Sequence, residues 1–155
     1  MSFQLRPYKD EEFERACQVR GLDTPDAKLR FKVSFNGTGQ WIDHYMHLAL
    51  DKNGELIGDV QFRRCDKTIP DGVAHIGIDI VKKEQGNGAG TRALELAWEW
   101  AKANNIHRLE GSTEISNVAM RRAFEKAGWD FEGTQKNLFF KDGVGHDYFT
   151  FAKTI

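Results

Sequence analysis

The sequence predicts an α/β domain of the α+β type, in which a mixed, mostly antiparallel central sheet is flanked by helices. A length of 155 residues fits one domain, expected to span residues 1–155. Hydrophobic residues make up 40% of the chain and aromatic residues 12%, which is ample for a packed core. Strand-like runs occur as a hairpin, two single strands and a second hairpin, with amphipathic helices between them. No internal repeat interrupts this order.

The first third of the chain predicts helices and turns. Phe13, Ala16 and Cys17 fall at helical spacing, which predicts a helix over Glu11 to Arg20. The stretch from Gly21 to Gln40 contains turn residues around a possible short helix. Segments of this kind often shape a substrate pocket.

The rest of the chain alternates strands and helices. Asn53-Gly54 suits a tight turn, so it predicts an antiparallel hairpin of His47 to Asp51 with Leu56 to Arg64. Alternating residues indicate the later strands, and apolar residues at helical spacing indicate the helices. The remaining elements are a strand over Ala74 to Val81, a helix from Gly90 to Asn104, a strand around His107 to Ser112, a helix from Asn117 to Gly128, and a hairpin of Gly133 to Phe140 with Asp147 to Ala152.

The charge balance argues against a nucleic-acid or membrane partner. The 22 Lys and Arg residues against 23 Asp and Glu residues leave a formal charge of -1, so no global field attracts an anionic polymer or bilayer. No apolar run has the length of a signal peptide or a membrane span, so we expect a cytoplasmic protein. Cys17 and Cys65 match no disulfide framework or zinc spacing, so we expect two ordinary thiols.

A glycine-rich segment, Gln85 to Thr91, leads from the third predicted strand into the long helix. Glycines let the backbone turn tightly and approach a ligand closely. The first N–H groups of a helix lack partners within it, and they lie at the positive end of its dipole. The segment therefore predicts a site for an anion such as a phosphate, with a flexible connection as the alternative.

Part of this segment also matches a dinucleotide-binding motif. Gly88 to Ala93 fits G-x-G-x-x-A, and Glu110 follows about 20 residues later, as in NAD- or FAD-binding enzymes. However, Lys82 to Asn87 separate the strand from the first glycine of that motif, and a hairpin precedes it. An NAD- or FAD-dependent oxidoreductase is therefore the less favoured reading, and no Gly-Lys-[Ser/Thr] supports a P-loop.

Three segments together resemble the GNAT superfamily of N-acetyltransferases, and in particular its RimJ/RimL-like branch. Gln85 to Gly90 matches the acetyl-CoA loop of the family, Gln/Arg-x-x-Gly-x-Gly/Ala. Asn117 to Trp129 resembles the N-x-A…E-K-x-G-[FW] segment of that branch, and Ala74 to Gly77 resembles its Ala-Glu-Ile-Gly strand. The resemblance covers the chain from about Leu48 to its last residue.

The resemblance implies a sheet splayed between its fourth and fifth strands, with acetyl-CoA in the gap. Backbone amides of the glycine-rich segment would hold the pyrophosphate, and Ile80 and Val81 would pair with the pantetheine amides. Asn117 would hydrogen-bond the pantetheine arm, cap its helix, or do both. The residues expected to bind acetyl-CoA are Ile80, Val81, Gln85, Gly86, Asn87, Gly88, Ala89, Gly90, Thr91 and Asn117.

His75 and Asp79 are the candidate catalytic residues. His75 stands where the RimJ/RimL-like branch usually has a glutamate base, and an imidazole can accept a proton at neutral pH. A structural histidine is the alternative. Asp79 shares its face of the strand and is the second candidate base or an anchor for a cationic amine, with a solvated carboxylate as the alternative.

The usual proton donor of the resembled family is missing. Phe124 and Met120 stand where many members carry a Tyr and a Ser. The leaving thiolate would then take its proton from water, Tyr148 or Ser112, which the sequence does not rank, and catalysis would depend on proximity and orientation.

Other side chains are weaker candidates. His44 and His47 have an H-x-x-H spacing, but we expect opposite faces and no acidic or cysteine partner, so no metal site is predicted. Trp98 and Trp100 are expected in the core and at the rim of the long helix. The acidic residues that would suit a cationic acceptor if they share the site are Asp79, Glu110, Glu114 and Asp147.

The sequence therefore predicts an N-acetyltransferase in which a primary amine attacks the thioester of acetyl-CoA directly. The acceptor stays open between a protein N-terminus, a polyamine, an aminoglycoside and another small amine. Because the usual hydroxyl donors are absent, a non-catalytic acyl-CoA sensor is the alternative from a different class. A homodimer is compatible with the resemblance, since dimers are common in that family.

Overall fold

The computed structural model describes residues 2–64 and 70–155. Its strands are β1 (Phe3–Arg6), β2 (Tyr45–Lys52), β3 (Glu55–Arg63), β4 (Val73–Ile80), β5 (Arg108–Glu114), β6 (Asp130–Lys141) and β7 (Val144–Thr154). Its helices are α1 (Phe13–Val19), α2 (Pro25–Asn36), α3 (Ala89–Ala103) and α4 (Val118–Lys126), with 3-10 turns at Asp10–Glu12 and Lys82–Glu84. Within the described residues, seven strands form one sheet in the order β1-β2-β3-β4-β5-β7-β6. Only β4 and β5 pair in parallel, so the mixed, mostly antiparallel sheet is confirmed.

Both predicted hairpins are present, with the expected turn residues. Asn53 and Gly54 join β2 to β3 with φ angles of +55° and +89°. Asp142 and Gly143 join β6 to β7 with φ angles of +53° and +76°. Glycine adopts positive φ without strain, and Asn and Asp tolerate it better than other residues do. The two helices predicted in the second half of the chain are also confirmed, as α3 and α4.

The N-terminal part differs from the prediction in two places. The sequence pattern does not predict β1, a four-residue strand that pairs with β2 at the edge of the sheet. The first helix begins at Phe13 rather than at Glu11, because the Glu12 carboxylate turns back to accept the N–H of Lys9 at 2.8 Å. The short helix expected within Gly21 to Gln40 is α2, which has 12 residues.

The sheet opens between β4 and β5, as the resemblance predicts. Parallel pairing joins only Val73–His75 to Arg108–Glu110. Beyond this point β4 continues to Ile80 and β5 continues to Glu114, and no register pair joins them. A gap bounded by two strand edges therefore widens toward the end of β4, where the glycine-rich segment begins.

Helices cover both faces of the sheet. On one face α3 and α4 pack on the main core, where Trp98 is buried and Trp100 is half-buried, as predicted for the long helix. On the other face α1 and α2 enclose an aromatic cluster of Tyr8, Phe31 and Phe35, with ring centroids 5.0 to 6.3 Å apart. The second face is the one that carries His47 and Asp79 in the alternation of β2 and β4.

The structure bears on the expectations for the two cysteines and for membrane-spanning helices. Cys17 is a buried, free thiol, as predicted, whereas Cys65 lies outside the described residues. In the part of the chain that the structure describes, no helix combines the length and the apolar character needed to cross a membrane.

Candidate active site

The glycine-rich segment forms an open turn at the mouth of the gap between β4 and β5. Gly86 and Gly88 both have a φ of +82°, and no heavy atom lies within 4 Å of the position that a Cβ would take. Gly88 is the N-cap of α3 and offers no side chain to its first turn, which contains no acidic residue. The N–H groups from Ala89 to Thr91 therefore point out of the helix without a capping side chain. This geometry suits a phosphate.

Ile80 and Val81 lie where the backbone of β4 leaves the sheet. The N–H of Val81 donates to the carbonyl of Ile57 at 2.9 Å, so this donor is already used. The carbonyl of Ile80 accepts the side-chain amide of Gln85 at 3.0 Å. A carbonyl oxygen has two lone pairs, so a ligand can pair with Ile80 while Gln85, the first residue of the glycine-rich motif, stays bound.

The helices α3 and α4 meet beside the gap. A Cβ on Gly90 would lie 3.5 Å from the Cβ of Ala123 and 3.8 Å from the sulfur of Met120, which is ordinary contact. Asn117 caps α4, since its Oδ1 accepts the N–H of Met120 at 3.2 Å. The cap uses only the oxygen of the Asn117 amide, and the exposed NH2 group can still donate to a ligand.

His75 lies at the closed end of the gap. Its Nε2 is 2.9 Å from Oε1 of Glu110, its register partner on β5, and its side chain is 43% exposed. Arg108 donates to the other oxygen of Glu110, with Nη2 at 2.8 Å and Nε at 3.1 Å. We assign the imidazole proton to Nε2, which leaves Nδ1 as an acceptor. The sequence analysis did not identify Glu110 as the partner of His75, because their contact depends on the register of the parallel pair.

Asp79 lies four residues further along β4, on the same face as His75 and inside the splayed part. Gln61 donates to its Oδ2 at 2.7 Å, and Nε of Arg20 is 3.6 Å from the same oxygen. Burial and the nearby charge of Asp59 raise the pKa of the Asp79 carboxyl above its usual value, in spite of Arg20. A raised pKa makes a carboxylate a better base near neutral pH.

A buried polar cluster beside Asp79 is not predicted by the sequence analysis. Asp59 is fully buried and is the register partner of Asp79 on β3. The Tyr8 hydroxyl donates to Asp59 in a short hydrogen bond, and Nδ1 of His47 lies 3.1 Å from both carboxylate oxygens. Nε of Arg20 lies 4.0 Å from Asp59 Oδ1. The available sequence signal is a charged residue in the middle of a strand that is otherwise mostly apolar.

The cluster corrects the expectation for His47. His47 was expected to have no acidic partner, which is wrong, because Asp59 lies against its ring. His44 is exposed in the turn before β2. Across the described ranges, 2–64 and 70–155, no group of three His, Cys, Asp or Glu side chains is arranged to hold a metal ion.

The acidic side chains near the gap are already paired within the protein. Glu110 is held by Arg108 and His75, as described above. Glu114 lies 2.5 Å from Nδ1 of His146, and Asp147 accepts the N–H of Asn137 at 2.8 Å. Glu110 and Glu114 lie on the face of β5 that carries the candidate base, whereas Asp147 precedes Tyr148 on β7 and belongs to the opposite face.

Phe124, at the position of the family's usual proton donor, is buried, whereas the candidate hydroxyls of Ser112 and Tyr148 lie on β5 and β7. Phe124 is 2% exposed, and its ring stacks on Phe151 at 4.6 Å and meets Trp129 edge-on at 5.3 Å. Ser112 is exposed on β5, two residues past the β4–β5 pairing and on the face that carries the candidate base. Tyr148 is half-buried on β7, opposite the end of β5. Of the two hydroxyls, Ser112 is nearer along β5 to the closed end.

A family model and curated sequences were compared with the chain. The model described as an acetyltransferase (GNAT) domain matches residues 2–130. A dTDP-fucosamine acetyltransferase from Escherichia coli is 27% identical over 117 residues, which cover 74% of this chain and 48% of that protein. The chain thus spans about half the length of this curated relative.

Solved structures of several acetyltransferases share the fold. A chimera of spermidine N-acetyltransferase SpeG from Vibrio cholerae and hSSAT has a TM-score of 0.81 at 15% identity and covers 99% of this chain and 96% of its own. RimL, a ribosomal L7/L12 alpha-N-protein acetyltransferase solved with coenzyme A, has a TM-score of 0.80 at 16% identity. The match covers 100% of this chain and 95% of RimL. Mycobacterium smegmatis RimJ, solved with CoA-disulfide, has a TM-score of 0.75 at 20% identity. The match covers 98% of this chain and 81% of RimJ.

Proposed function

Since the chain belongs to the GNAT acetyltransferase domain family, we propose that it is an N-acetyltransferase that transfers the acetyl group of acetyl-CoA directly to a primary amine. The observation that carries this proposal is the gap between β4 and β5, with an uncapped helix N-terminus at its mouth. Acceptors compatible with the family resemblance are a protein N-terminus, a polyamine, an aminoglycoside or another small amine.

The proposed binding mode of acetyl-CoA uses backbone groups more than side chains. The pyrophosphate would accept hydrogen bonds from the N–H groups that follow Gly86 and Gly88, where no side chain blocks the approach. The pantetheine arm would extend between the edges of β4 and β5 and pair with β4 as an added strand would. Asn117 would donate its amide NH2 to this arm while its oxygen continues to cap α4.

The reaction forms one bond and breaks another. The amine nitrogen attacks the thioester carbonyl, an amide forms, and the C–S bond breaks to release the CoA thiolate. We assign the proton of the attacking amine to Nδ1 of His75, with Glu110 holding the opposite nitrogen. Glu110 is thus a positioning residue, because it acts through His75.

The thiolate leaves without a protein acid at the usual position. Phe124 carries no ionisable proton and is packed between Phe151 and Trp129. Water takes this role in our proposal, with the exposed Ser112 as the nearest hydroxyl on β5. The main contribution of the site is then to hold the amine and the thioester in a reactive geometry.

The test is thiol release from acetyl-CoA across a panel of amines, with calorimetric titration of acetyl-CoA and NAD alongside. Gly88→Ala is expected to weaken acetyl-CoA binding at least about tenfold, since a Cβ enters the phosphate site at positive φ. Gly143→Ala is the matched control, because its φ of +76° imposes similar strain in an equally open turn between β6 and β7.

The outcomes separate the candidate functions. Release of thiol with one amine class supports the enzyme and identifies its acceptor class. Tight acetyl-CoA binding without turnover on any amine would favour the acyl-CoA sensor, which the absent hydroxyl at Phe124 makes the second candidate. Equal weakening by Gly88→Ala and Gly143→Ala would contradict the proposed phosphate site.

A further inference from the structure

A pocket of about 390 Å³ lies between α2 and the sheet, on the face that carries Asp79. Its floor is formed by side chains of β2 and β3, including Gln61, and one wall is the buried ring of Phe31. Its rim is formed by Arg20, Arg30, Ser34 and Tyr45. The volume suits a small molecule or the terminal residue of a peptide.

The pocket adjoins Asp79, one of the two candidate catalytic residues. Gln61 and Arg20 line it, and both also contact the Asp79 carboxylate, at 2.7 Å and 3.6 Å respectively. A molecule that fills the pocket therefore extends away from Asp79 along the face of the sheet, on the side opposite to the main core. The pocket is in the position of the acceptor, while the gap between β4 and β5 takes the acetyl donor.

The rim of the pocket contains hydrogen-bond donors without protein acceptors. Within the described residues, the guanidinium of Arg30 and the hydroxyls of Ser34 and Tyr45 have no hydrogen-bond or ion-pair partner. The guanidinium of Arg20 is fixed over the Phe31 ring, with Cζ at 4.9 Å from the centroid. No carboxylate is among the residues that line the pocket.

The charges near the site have opposite signs at its two ends. Asp79 provides a carboxylate at the inner end, where Arg20 lies 3.6 Å from it, whereas Arg30 stands at the rim without an acidic partner among the described residues. The acidic groups on the β5 and β7 side are engaged by Arg108 and His146, which leaves little uncompensated negative charge for a polycation. An acceptor that matches this arrangement has a cationic amine at one end and an anion at the other.

We propose that the acceptor is an amine that also carries a carboxylate or a phosphate, and that this anionic group binds to Arg30 at the rim of the pocket. The proposal rests on the acetyltransferase function proposed above and names the substrate class for the same site. The anion accepts hydrogen bonds from Arg30, Ser34 and Tyr45, while the amine points toward Asp79 and His75. An arginine suits either anion, because its planar fork of N–H groups matches both.

The experiment compares matched pairs of acceptors by thiol release from acetyl-CoA. The pairs are γ-aminobutyrate with butylamine, for the carboxylate, and phosphoethanolamine with ethanolamine, for the phosphate, with spermidine as the polycation. We expect kcat/KM to be at least about tenfold higher for an anionic member than for its neutral partner, and the pair that shows it identifies the anion.

Arg30→Gln tests the residue directly. It is expected to raise KM for the anionic acceptor about tenfold with little change in kcat, and to leave the neutral amine unaffected. Lys32→Gln is the matched control, since it removes the same charge from α2 at a side chain that lies over the Phe13 ring and not in the pocket. We also expect the wild type's preference for anionic over neutral acceptors to weaken in high salt, because salt screens the charge of Arg30. In Arg30→Gln this salt dependence is expected to disappear.

The results that would overturn the proposal are distinct from those that would overturn the function. If neutral amines or spermidine are acetylated as well as the anionic amines, the enzyme stands and the anion site is wrong. If Arg30→Gln and Lys32→Gln raise KM equally, the effect is long-range and the site is again wrong. If no amine is acetylated, the proposed function fails and the acceptor proposal fails with it.

Discussion

Gly111→Ala is expected to destabilise the protein at the point where β4 and β5 separate. A Cβ on Gly111 would lie 2.7 Å from Cζ and 2.9 Å from Cε1 of Phe124, and 3.0 Å from Cγ2 of Ile76. The Phe124 ring has little room to move away, because it is stacked on Phe151 and packed edge-on against Trp129. Overpacking of a core typically costs about 1 to 3 kcal/mol, and removing a glycine from the unfolded chain returns about 0.4 to 1 kcal/mol.

The difference between these ranges is centred on about 1.3 kcal/mol, which corresponds to a fall in Tm of about 3 to 5 °C for a chain of this size. Thermal unfolding followed by circular dichroism measures it. Gly90→Ala is the control, since its Cβ meets Ala123 at an ordinary 3.5 Å, and we expect no loss of stability. In a Phe124→Leu background the cost of Gly111→Ala is expected to fall below about 0.5 kcal/mol. The same drop in Tm in both backgrounds would refute the clash with Phe124.

Three further predictions concern His75, Glu110 and Asp79. His75→Gln is expected to lower kcat/KM about 100-fold, and an unchanged rate would move the base to Asp79 or water. Glu110→Gln is expected to cause a smaller loss of kcat/KM, because Glu110 acts through His75. Burial and Asp59 raise the pKa of Asp79 in the folded state, so ionisation of Asp79 opposes folding as pH rises from about 3.8 through the raised pKa. Asp79→Asn is therefore expected to gain stability relative to the wild type between pH 4 and pH 8 in thermal melts, and a gap independent of pH would contradict this sign.

The parts of the fold that the sequence predicts are those with local signals. Both hairpins follow from turn residues that accept positive φ, such as Asn53-Gly54, and α3 and α4 follow from apolar residues at helical spacing. The β1 strand has only four residues, and its pairing with β2 joins positions more than 40 residues apart, so no local pattern marks it. The splay of β4 from β5 came from the family resemblance and not from periodicity.

In the candidate site, too, the sequence predicts the features with local signals and not those that depend on tertiary contacts. The glycine-rich segment lies in one stretch of chain, and its open geometry at Gly86 and Gly88 could be expected from the residues themselves. The hydrogen-bond partners of the candidate catalytic residues could not be predicted from the sequence, because these contacts depend on strand register and packing. The bond between Tyr8 and Asp59 joins residues 51 positions apart, and the contact of His75 with Glu110 exists only because those strands are parallel and in that register. A pairwise contact across a sheet is a tertiary property, and single-sequence patterns do not contain it.

Under the proposed function, the lack of a hydroxyl at Phe124 lowers the catalytic rate less than the lack of a base at His75 would. A thiol has an ordinary pKa of about 8.5, so a CoA thiolate is a stable leaving group near neutral pH and water can protonate it later. An alkylammonium has an ordinary pKa near 10.4, so at pH 7.4 only about one amine in 1,000 is unprotonated, which corresponds to about 4 kcal/mol. The protein therefore gains more from groups that take a proton from the amine than from a group that gives one to sulfur. The structure is consistent with this order of need, since the Phe124 ring supports the core, while His75 contacts Glu110 and shares the acceptor face of β4 with Asp79.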